Sequence, residues 1–350
     1  MSVFDLSVRL ERRHFALAWE CQTSAKWLGL YGPSGLGKTT ALELLVGWLQ
    51  PTAGAVKRPL IAGGVGYSPQ DLLLFPHWTV AENLSMCRRG ALPGELTDAA
   101  LFDALGLEPL LLRRAERLSG GEGRRVALAR AILAAPDDEL LVLDEPLSSL
   151  DRELRTRVLG FLLALKAVRR GPVVVVSHSA VDLTVLADAV QRIEVEATAS
   201  GVVSSFTAPA DPALALAGEG AYENLLHCHV DKLLGDAALC HLEGSDVLVT
   251  VPSRGLSVGD RALFGLRSDD VLLGLEDPGR VSARNKLEGR VQSLVEEGAY
   301  INLSIGLGPG APALSTHLTR GATRDLGLGE GVGVHLFFKT RSVRLLAQLP

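Results

Sequence analysis

Residues Gly32, Pro33, Ser34, Gly35, Leu36, Gly37, Lys38, Thr39 and Thr40 form a glycine-rich loop that ends in Lys-Thr, the spacing of a phosphate cradle. Glycines let backbone N–H groups turn inward toward an anion. Lys38 can then reach the outer phosphates of a nucleotide, and the Thr39 hydroxyl can bind Mg²⁺. Two acids, Asp144 and Glu145, end the apolar run Leu140-Leu-Val-Leu143. There Asp144 can hold Mg²⁺ and Glu145 can polarise an attacking water. A second glycine-bearing turn, Leu118-Ser119-Gly120-Gly121-Glu122, precedes GRRVALARAILAA. It offers N–H groups and a hydroxyl but no lysine, so it completes an anion site better than it builds one. Taken alone, the same residues read as a serine N-cap and a turn.

Each motif needs an element to aim it. The apolar run Trp27–Tyr31 supplies a strand before the loop, and KTTALELLVGWL supplies a helix whose positive dipole end faces the same phosphates. Leu140–Leu143 suits a buried parallel strand, with the acids delivered at its carboxyl end beside a ligand crevice. Val126, Ala129 and Leu133 share one helical face, and Pro136 closes that segment.

A chain of 350 residues is long enough for two ordinary domains. With 47% hydrophobic and 21% charged residues it reads as globular. The formal net charge of -5 argues against a nucleic-acid binder that works by broad phosphate neutralisation. The apolar stretches Leu159–Val168 and Val173–Val176 are too short to span a bilayer. The opening MSVFDLSVRLERR places charges where a signal peptide needs an apolar core. Cys21, Cys87, Cys228 and Cys240 show neither a disulfide-framework nor a CxxC spacing, which makes a reducing setting the default.

The ordered set of motifs over about the first 220 residues resembles the ATP-binding-cassette ATPases. The resemblance implies that Leu118–Glu122 is the signature sequence, contacting the γ-phosphate held by a partner subunit. It implies that Gln70, in VGYSPQD, senses Mg²⁺ and the attacking water, that Asp151 belongs to the D-loop, and that His178, in VVVVSHS, is the switch histidine. Glu145, His178 and Gln70 are then the catalytic set, with Thr39, Gln70 and Asp144 around Mg²⁺. The family stacks adenine on an aromatic residue upstream of the phosphate loop. Phe15 is the first candidate, His14 and Trp19 are alternatives, and Phe15 also fits a core strand position.

After Gln70, the stretch LFPHWTVAENL resembles bacterial importer subfamilies, in which this region opens a helical subdomain (about 72–135) and receives a membrane subunit. Phe75, Pro76, His77 and Trp78 fit a docking patch or ordinary core packing. The competing class is a soluble cassette acting on DNA or the ribosome. Its usual marks, coiled-coil insertions, tandem cassettes or basic surfaces, are not visible in the sequence.

Residues Thr198–Ala221 are rich in Ala, Gly, Ser and Pro and read as a linker between an ATPase domain (1–221) and a second domain (222–350). Beyond them Val247, Val249 and Val251 alternate with polar neighbours, as do Ile301, Leu303 and Ile305. Residues 259–273 align with 331–345, and 226–234 with 287–295, which predicts two copies of a small β-unit packed as oligomer-binding-like barrels. Between the copies, Ser282-Ala283-Arg284-Asn285-Lys286 followed by L-x-G-x-V resembles the Mop-type molybdate-binding domain, so these five residues are candidates for an oxyanion site. His227, Cys228, His229, Cys240 and His241 invite a metal reading, but strand alternation divides the ligands between two faces.

The expected fold is an α/β P-loop cassette with a helical subdomain, followed by an all-β barrel domain with an internal repeat. Over its whole length the chain resembles the ATPase subunits of molybdate importers, with a Mop/TOBE-like C-terminal domain; related importers of sugars, sulfate or polyamines are the alternative. The resemblance implies ATP and Mg²⁺ as cofactors and a homodimer that sandwiches two ATP molecules, since a signature loop without lysine requires isologous pairing. It also implies separate membrane permease subunits, an extracytoplasmic oxyanion-binding protein, no nucleic acid, and a peripheral place on the cytoplasmic face of the inner membrane.

Overall fold

The computed structural model describes residues 2–56, 64–69, 72–198, 201–212, 216, 223–277, 279–297 and 300–349. The chain divides into two compact units, 1–217 and 218–350. The sequence reading places the boundary at 221/222, among residues 217–222 that lie outside those described.

The first unit is built on one nine-stranded sheet. Its strands are β1 (Phe4–Arg12), β2 (Phe15–Thr23), β3 (Trp27–Tyr31), β4 (Ala53–Val56), β5 (Val65–Ser68), β6 (Leu140–Asp144), β7 (Val173–Ser177), β8 (Ala189–Thr198) and β9 (Gly201–Phe206), in the order β4-β1-β2-β9-β8-β3-β7-β6-β5. The successive pairs β5-β6, β6-β7, β7-β3 and β3-β8 are parallel. β6 and β7 are buried at every position, as parallel strands covered on both faces must be. In β1, Phe4, Leu6, Val8 and Leu10 alternate inward and pack with Trp19 and the β3 leucines. Helices α1 (Lys38–Val46), α2 (Val80–Cys87), α3 (Asp98–Leu105), α4 (Gly120–Ala134), α5 (Arg152–Val168) and α6 (Ala180–Leu186) complete the unit. Thr79 and Ser119 start α2 and α4 with capping boxes closed by Glu82 and Glu122.

Part of the stretch expected to be linker is strand. β9 returns antiparallel along β8 and enters the sheet beside β2, where Phe15–Ala18 pair with Val202–Ser205. Within β9, Ser204 is fully buried.

The second unit carries the repeat as two five-stranded antiparallel sheets of oligomer-binding type. Its strands are β10 (Glu223–Leu234), β11 (Ala237–Leu242), β12 (Leu248–Pro252), β13 (Arg261–Arg267), β14 (Leu272–Gly274), β15 (Asn285–Glu297), β16 (Tyr300–Gly306), β17 (Leu314–Thr319), β18 (Gly333–Phe338) and β19 (Val343–Leu349). The sheet orders are β12-β11-β10-β13-β19 and β14-β18-β15-β16-β17. The copies are not independent barrels, because each gives its last strand to the other. β14 follows β13 in the chain yet pairs with β18, and β19 follows β18 yet pairs with β13. The repeat extends to irregularities: the register shifts between Val230 and Lys232 in β10, and between Val291 and Ser293 in β15. One continuous core runs through both sheets.

Candidate functional site

The phosphate loop leaves the carboxyl end of β3 and enters α1 at Lys38. Two glycines are required by the space around them. A Cβ at Gly32 would lie 2.1 Å from Cγ2 of Ile193, and one at Gly37, whose φ is 100°, would lie 2.8 Å from Cζ of Phe15. The buried Lys38 ammonium donates to the carbonyls of Gly32 at 2.6 Å and Pro33 at 2.7 Å, so it folds back over the loop it belongs to. Burial lowers its pKa, opposed by the charges of Glu145 and Asp144. Phe15, Ser34, Gly35, Gly37, Lys38, Thr39, Thr40 and Asp144 line one cleft. Of the aromatic candidates upstream, Phe15 is half-buried on that cleft, and His14 is exposed in the turn before it. Trp19 is fully buried with its indole N–H bonded to Gln191 at 2.9 Å, which removes it as a stacking surface.

The adjacent strand ends bring the acids and the histidine to the same edge. Register pairs Tyr31 with Ser177 and Asp144 with Val176, so loop, carboxylates and His178 emerge side by side. The Thr39 hydroxyl donates to Asp144 Oδ2 at 3.4 Å. Asp144 is 5% exposed, and burial, followed by the charge of Glu145, pushes its pKa up to about 6 against the pull of Thr39 and Lys38. The Glu145 carboxylate accepts from the His178 backbone N–H at 3.0 Å and sits 2.8 Å from His178 Nδ1. Glu145 has φ 53°, a left-handed backbone costing of order 1–3 kcal/mol, so the turn that aims this carboxylate is held by its surroundings. Ser34, Asp144, Glu145 and His178 share a second cleft with Ser68, Ser148, Arg124 and Arg125.

None of Leu118, Ser119, Gly120, Gly121 and Glu122 lines either cleft. They form the N-terminus of α4, where Ser119 Oγ accepts the Glu122 N–H at 3.3 Å and Glu122 accepts the Ser119 N–H at 2.7 Å. That backbone bond holds the Glu122 carboxyl below its ordinary range, aided by the Ser119 hydroxyl and Arg113. Cβ atoms at Gly120 and Gly121 would meet nothing within 4 Å, so neither glycine is required by packing within this chain. Asp151 caps α5, accepting from the N–H groups of Glu153 and Leu154 at 3.0 Å each. Gln70 lies outside the described residues. Phe75 and Trp78 are 41% and 38% exposed with ring centroids 4.7 Å apart, so they form a surface pair rather than core. Buried Asn83 fixes their loop, bonding the N–H and carbonyl of Phe75 and the carbonyl of Thr79.

In the second unit the five oxyanion candidates separate. Asn285 is 2% exposed and spends its amide on the Thr250 backbone, accepting at 2.6 Å and donating at 2.9 Å. Those bonds cover the free edge of β12. Lys286 donates to Asp277 at 2.7 Å and to the Gly279 carbonyl, which ties it to a loop of its own. Arg284 is exposed. Ser282 and Ala283 do line a cleft, together with Lys339, Arg341, Ser342 and Arg344 and with the carboxylates Asp269 and Asp270. Sequence reasoning missed these partners, although residues 331–345 were already marked by the repeat. Cys228 and Cys240 are fully buried on the core face, and burial pushes Cys240 up to about 12, whereas His227, His229 and His241 face solvent.

The arrangement of the first unit is that of a P-loop nucleoside triphosphatase of the cassette class. Residues 19–148 match the ABC transporter family, and residues 281–345 match the TOBE domain. Molybdenum import ATP-binding protein ModC of Mesorhizobium japonicum is 32% identical over 96% of this chain and 96% of its own. Molybdate/tungstate import ATP-binding protein WtpC of Pyrococcus abyssi is 32% identical over 90% of this chain and 91% of its own. Among solved structures, an RNase-L Inhibitor matches with TM-score 0.54 and 28% identity over 70% of this chain; this chain spans only 46% of that one. The chain belongs to the ATP-binding-cassette transporter family, as an ATPase of the import ATP-binding group. No described helix is long and apolar enough to cross a membrane.

Proposed function

We propose that this chain hydrolyses ATP to energise uptake of molybdate or tungstate through a separate membrane permease. The observation that carries the energetic half is the convergence of Lys38, the Thr39–Asp144 pair and the Glu145–His178 pair on neighbouring strand ends. The substrate half is supported by full-length similarity to molybdenum and molybdate/tungstate import proteins, together with the Ser282–Ala283 cleft and its basic residues.

In this reading, N–H groups of residues 32–40 and Lys38 hold the phosphates of ATP, while Phe15 stacks on adenine. Gly32 and Gly37 let the loop pack closely against Ile193 and Phe15, which fixes the backbone that presents those N–H groups. Thr39, Asp144 and Gln70 are an oxygen donor set suited to Mg²⁺. These residues would hold the ion, which would supply neutralisation of the phosphate charge. Glu145 takes a proton from the attacking water as oxygen bonds to the γ-phosphorus and the bond to the β-phosphate oxygen breaks, giving ADP and phosphate. His178 orients the base through Nδ1 and faces the departing phosphate.

The signature residues Leu118–Glu122 lie off their own chain's clefts, which supports their serving ATP held by a second copy, with Asp151 near that interface. The Phe75–Trp78 pair docks the permease on the cytoplasmic face of the membrane, and an extracytoplasmic binding protein delivers the anion. The test is reconstitution of the full chain with its permease and binding protein in vesicles. Molybdate or tungstate uptake should require ATP and fall about 10²–10⁴-fold with Glu145→Gln, while nucleotide binding persists. Uptake of sulfate, sugar or polyamine in place of these oxyanions would overturn the substrate assignment.

A further inference from the structure

The turn between β6 and α5 carries the proposed base in an unusual backbone. Glu145 and Ser149, neither of them glycine, both occupy the left-handed region, with φ of 53° and 62°. Such conformations persist only where neighbours over-determine them. Within the turn, the Ser148 N–H and hydroxyl both donate to the Glu145 carbonyl, at 3.1 and 2.8 Å. From the sheet, the Glu145 N–H donates to the Val176 carbonyl at 3.0 Å, and His178 meets the carboxylate. A further contact arrives from the helical subdomain: Arg124 Nη1, on α4, donates to Ser149 Oγ at 2.7 Å. Its neighbour Arg125 lines the same cleft but spends its guanidinium on the carbonyls of Leu105 and Gly106, at 2.6 and 2.9 Å. The two arginines of one basic pair therefore do different jobs, and Arg124 is the one bonded to the base-bearing turn.

We propose that Arg124 is a positioning residue for ATP hydrolysis, tethering the helix that begins with the signature residues to the strained turn that aims Glu145. The proposal rests on Glu145 being the base. A shift of α4 pulls on Ser149, and the left-handed turn passes that pull to Glu145 four residues upstream. Because the base must sit within hydrogen-bond reach of its water, sub-ångström changes at the turn alter turnover without touching the nucleotide cradle. The tether thus gives α4 a grip on the chemistry of its own chain, separate from any role of Ser119–Glu122 toward a second copy.

The test measures ATP turnover by the full chain assembled with its permease. Arg124→Ala should lower kcat about ten- to hundredfold with the KM for ATP within about twofold, since a misplacement near 1 Å costs on the order of a hundredfold. Ser149→Ala deletes the same bond by removing one hydroxyl, and should do the same. The double variant should be no slower than the slower single, because both changes remove one interaction. Arg124→Lys keeps a long donor and should recover kcat to within about threefold of the parent. Normal turnover in Arg124→Ala, or losses that multiply in the double variant, would overturn the tether. Glu145→Gln separates the two ideas. If it turns over normally the base assignment fails, whereas an inactive Glu145→Gln beside a normal Arg124→Ala removes only the tether.

Discussion

Asp144 holds its carboxylate where the fold resists the charge. Burial raises its pKa from 3.8 to about 6, so the folded chain binds this proton more tightly than the unfolded chain does. Stability contributed at this position therefore falls as pH rises from about 4 to 6, and at neutral pH the ionised group costs of order 2–3 kcal/mol in the nucleotide-free protein. Asp144→Asn keeps the shape and removes the charge. It should raise the Tm of the nucleotide-free chain at pH 8, and the advantage should shrink toward pH 4.5, while ATPase activity is lost. A Tm difference that does not change across that range would mean that burial is not the source of the shift. The sequence made Asp144, Glu145, Lys38 and His178 legible because their spacing to strands and glycines is restrictive. It did not reveal that Glu145 sits on a left-handed backbone, or that Arg124 reaches Ser149, since neither follows from local residue type. It did not reveal that Asn285 bonds the Thr250 backbone, because an asparagine amide serves an anion or a backbone equally well, and only the fold decides which is near.

Elements show the same division. Alternation revealed the barrel strands and alignment revealed the repeat, but neither could show that the copies exchange β14 and β19. A strand after a short turn can continue into either barrel, and its pattern of buried residues is the same in both. A matched pair of asparagines also joins the two sheets. Asn285, at the start of β15, bonds Thr250 on β12, and Asn224, at the start of β10, bonds the Ser315 N–H at 2.6 Å and carbonyl at 3.0 Å on β17. Each covers the outer edge of the other copy's sheet. Asn285→Ala should cost about 2–5 kcal/mol, because it strands a donor and an acceptor on Thr250. Chemical denaturation of the full chain measures this, and a loss below about 0.5 kcal/mol would show that water takes over both bonds. In the helical subdomain, the exposed Phe75–Trp78 pair is fixed by Asn83 and the Thr79 cap rather than by core packing. Phe75→Ala with Trp78→Ala should spare nucleotide binding and weaken co-purification with the permease. Unimpaired assembly would move the docking site elsewhere.

At the scale of the whole chain, the second unit has a core of its own, and the exchange of strands makes that unit one cooperative body rather than two small barrels. The cleft formed by Ser282, Ala283, Lys339, Arg341, Ser342 and Arg344 draws on both ends of the second copy, residues 281–283 and 337–344, and so exists only when the unit is folded. A ligand held there must stabilise the folded state by RT ln(1 + [L]/Kd), about 2.7 kcal/mol at about a hundred times Kd. For a unit of this size that corresponds to a rise of roughly 10 °C in its transition. Molybdate and tungstate should therefore raise one of the calorimetric transitions of the full chain, while MgATP raises the other. Arg341→Ala with Ser282→Ala should erase the oxyanion shift and leave the MgATP shift intact. Two carboxylates, Asp269 and Asp270, line the same cleft and repel an anion held there. Replacing both with asparagine should tighten binding of any doubly charged oxyanion. If oxyanion binding favours the open form of the cassette pair, linkage requires the same factor of reduction in ATP-driven closure, so molybdate added on the ATP side should slow turnover by the assembled transporter. A full chain whose transitions ignore molybdate, tungstate and sulfate alike would leave the ATPase assignment intact and make the barrels a scaffold.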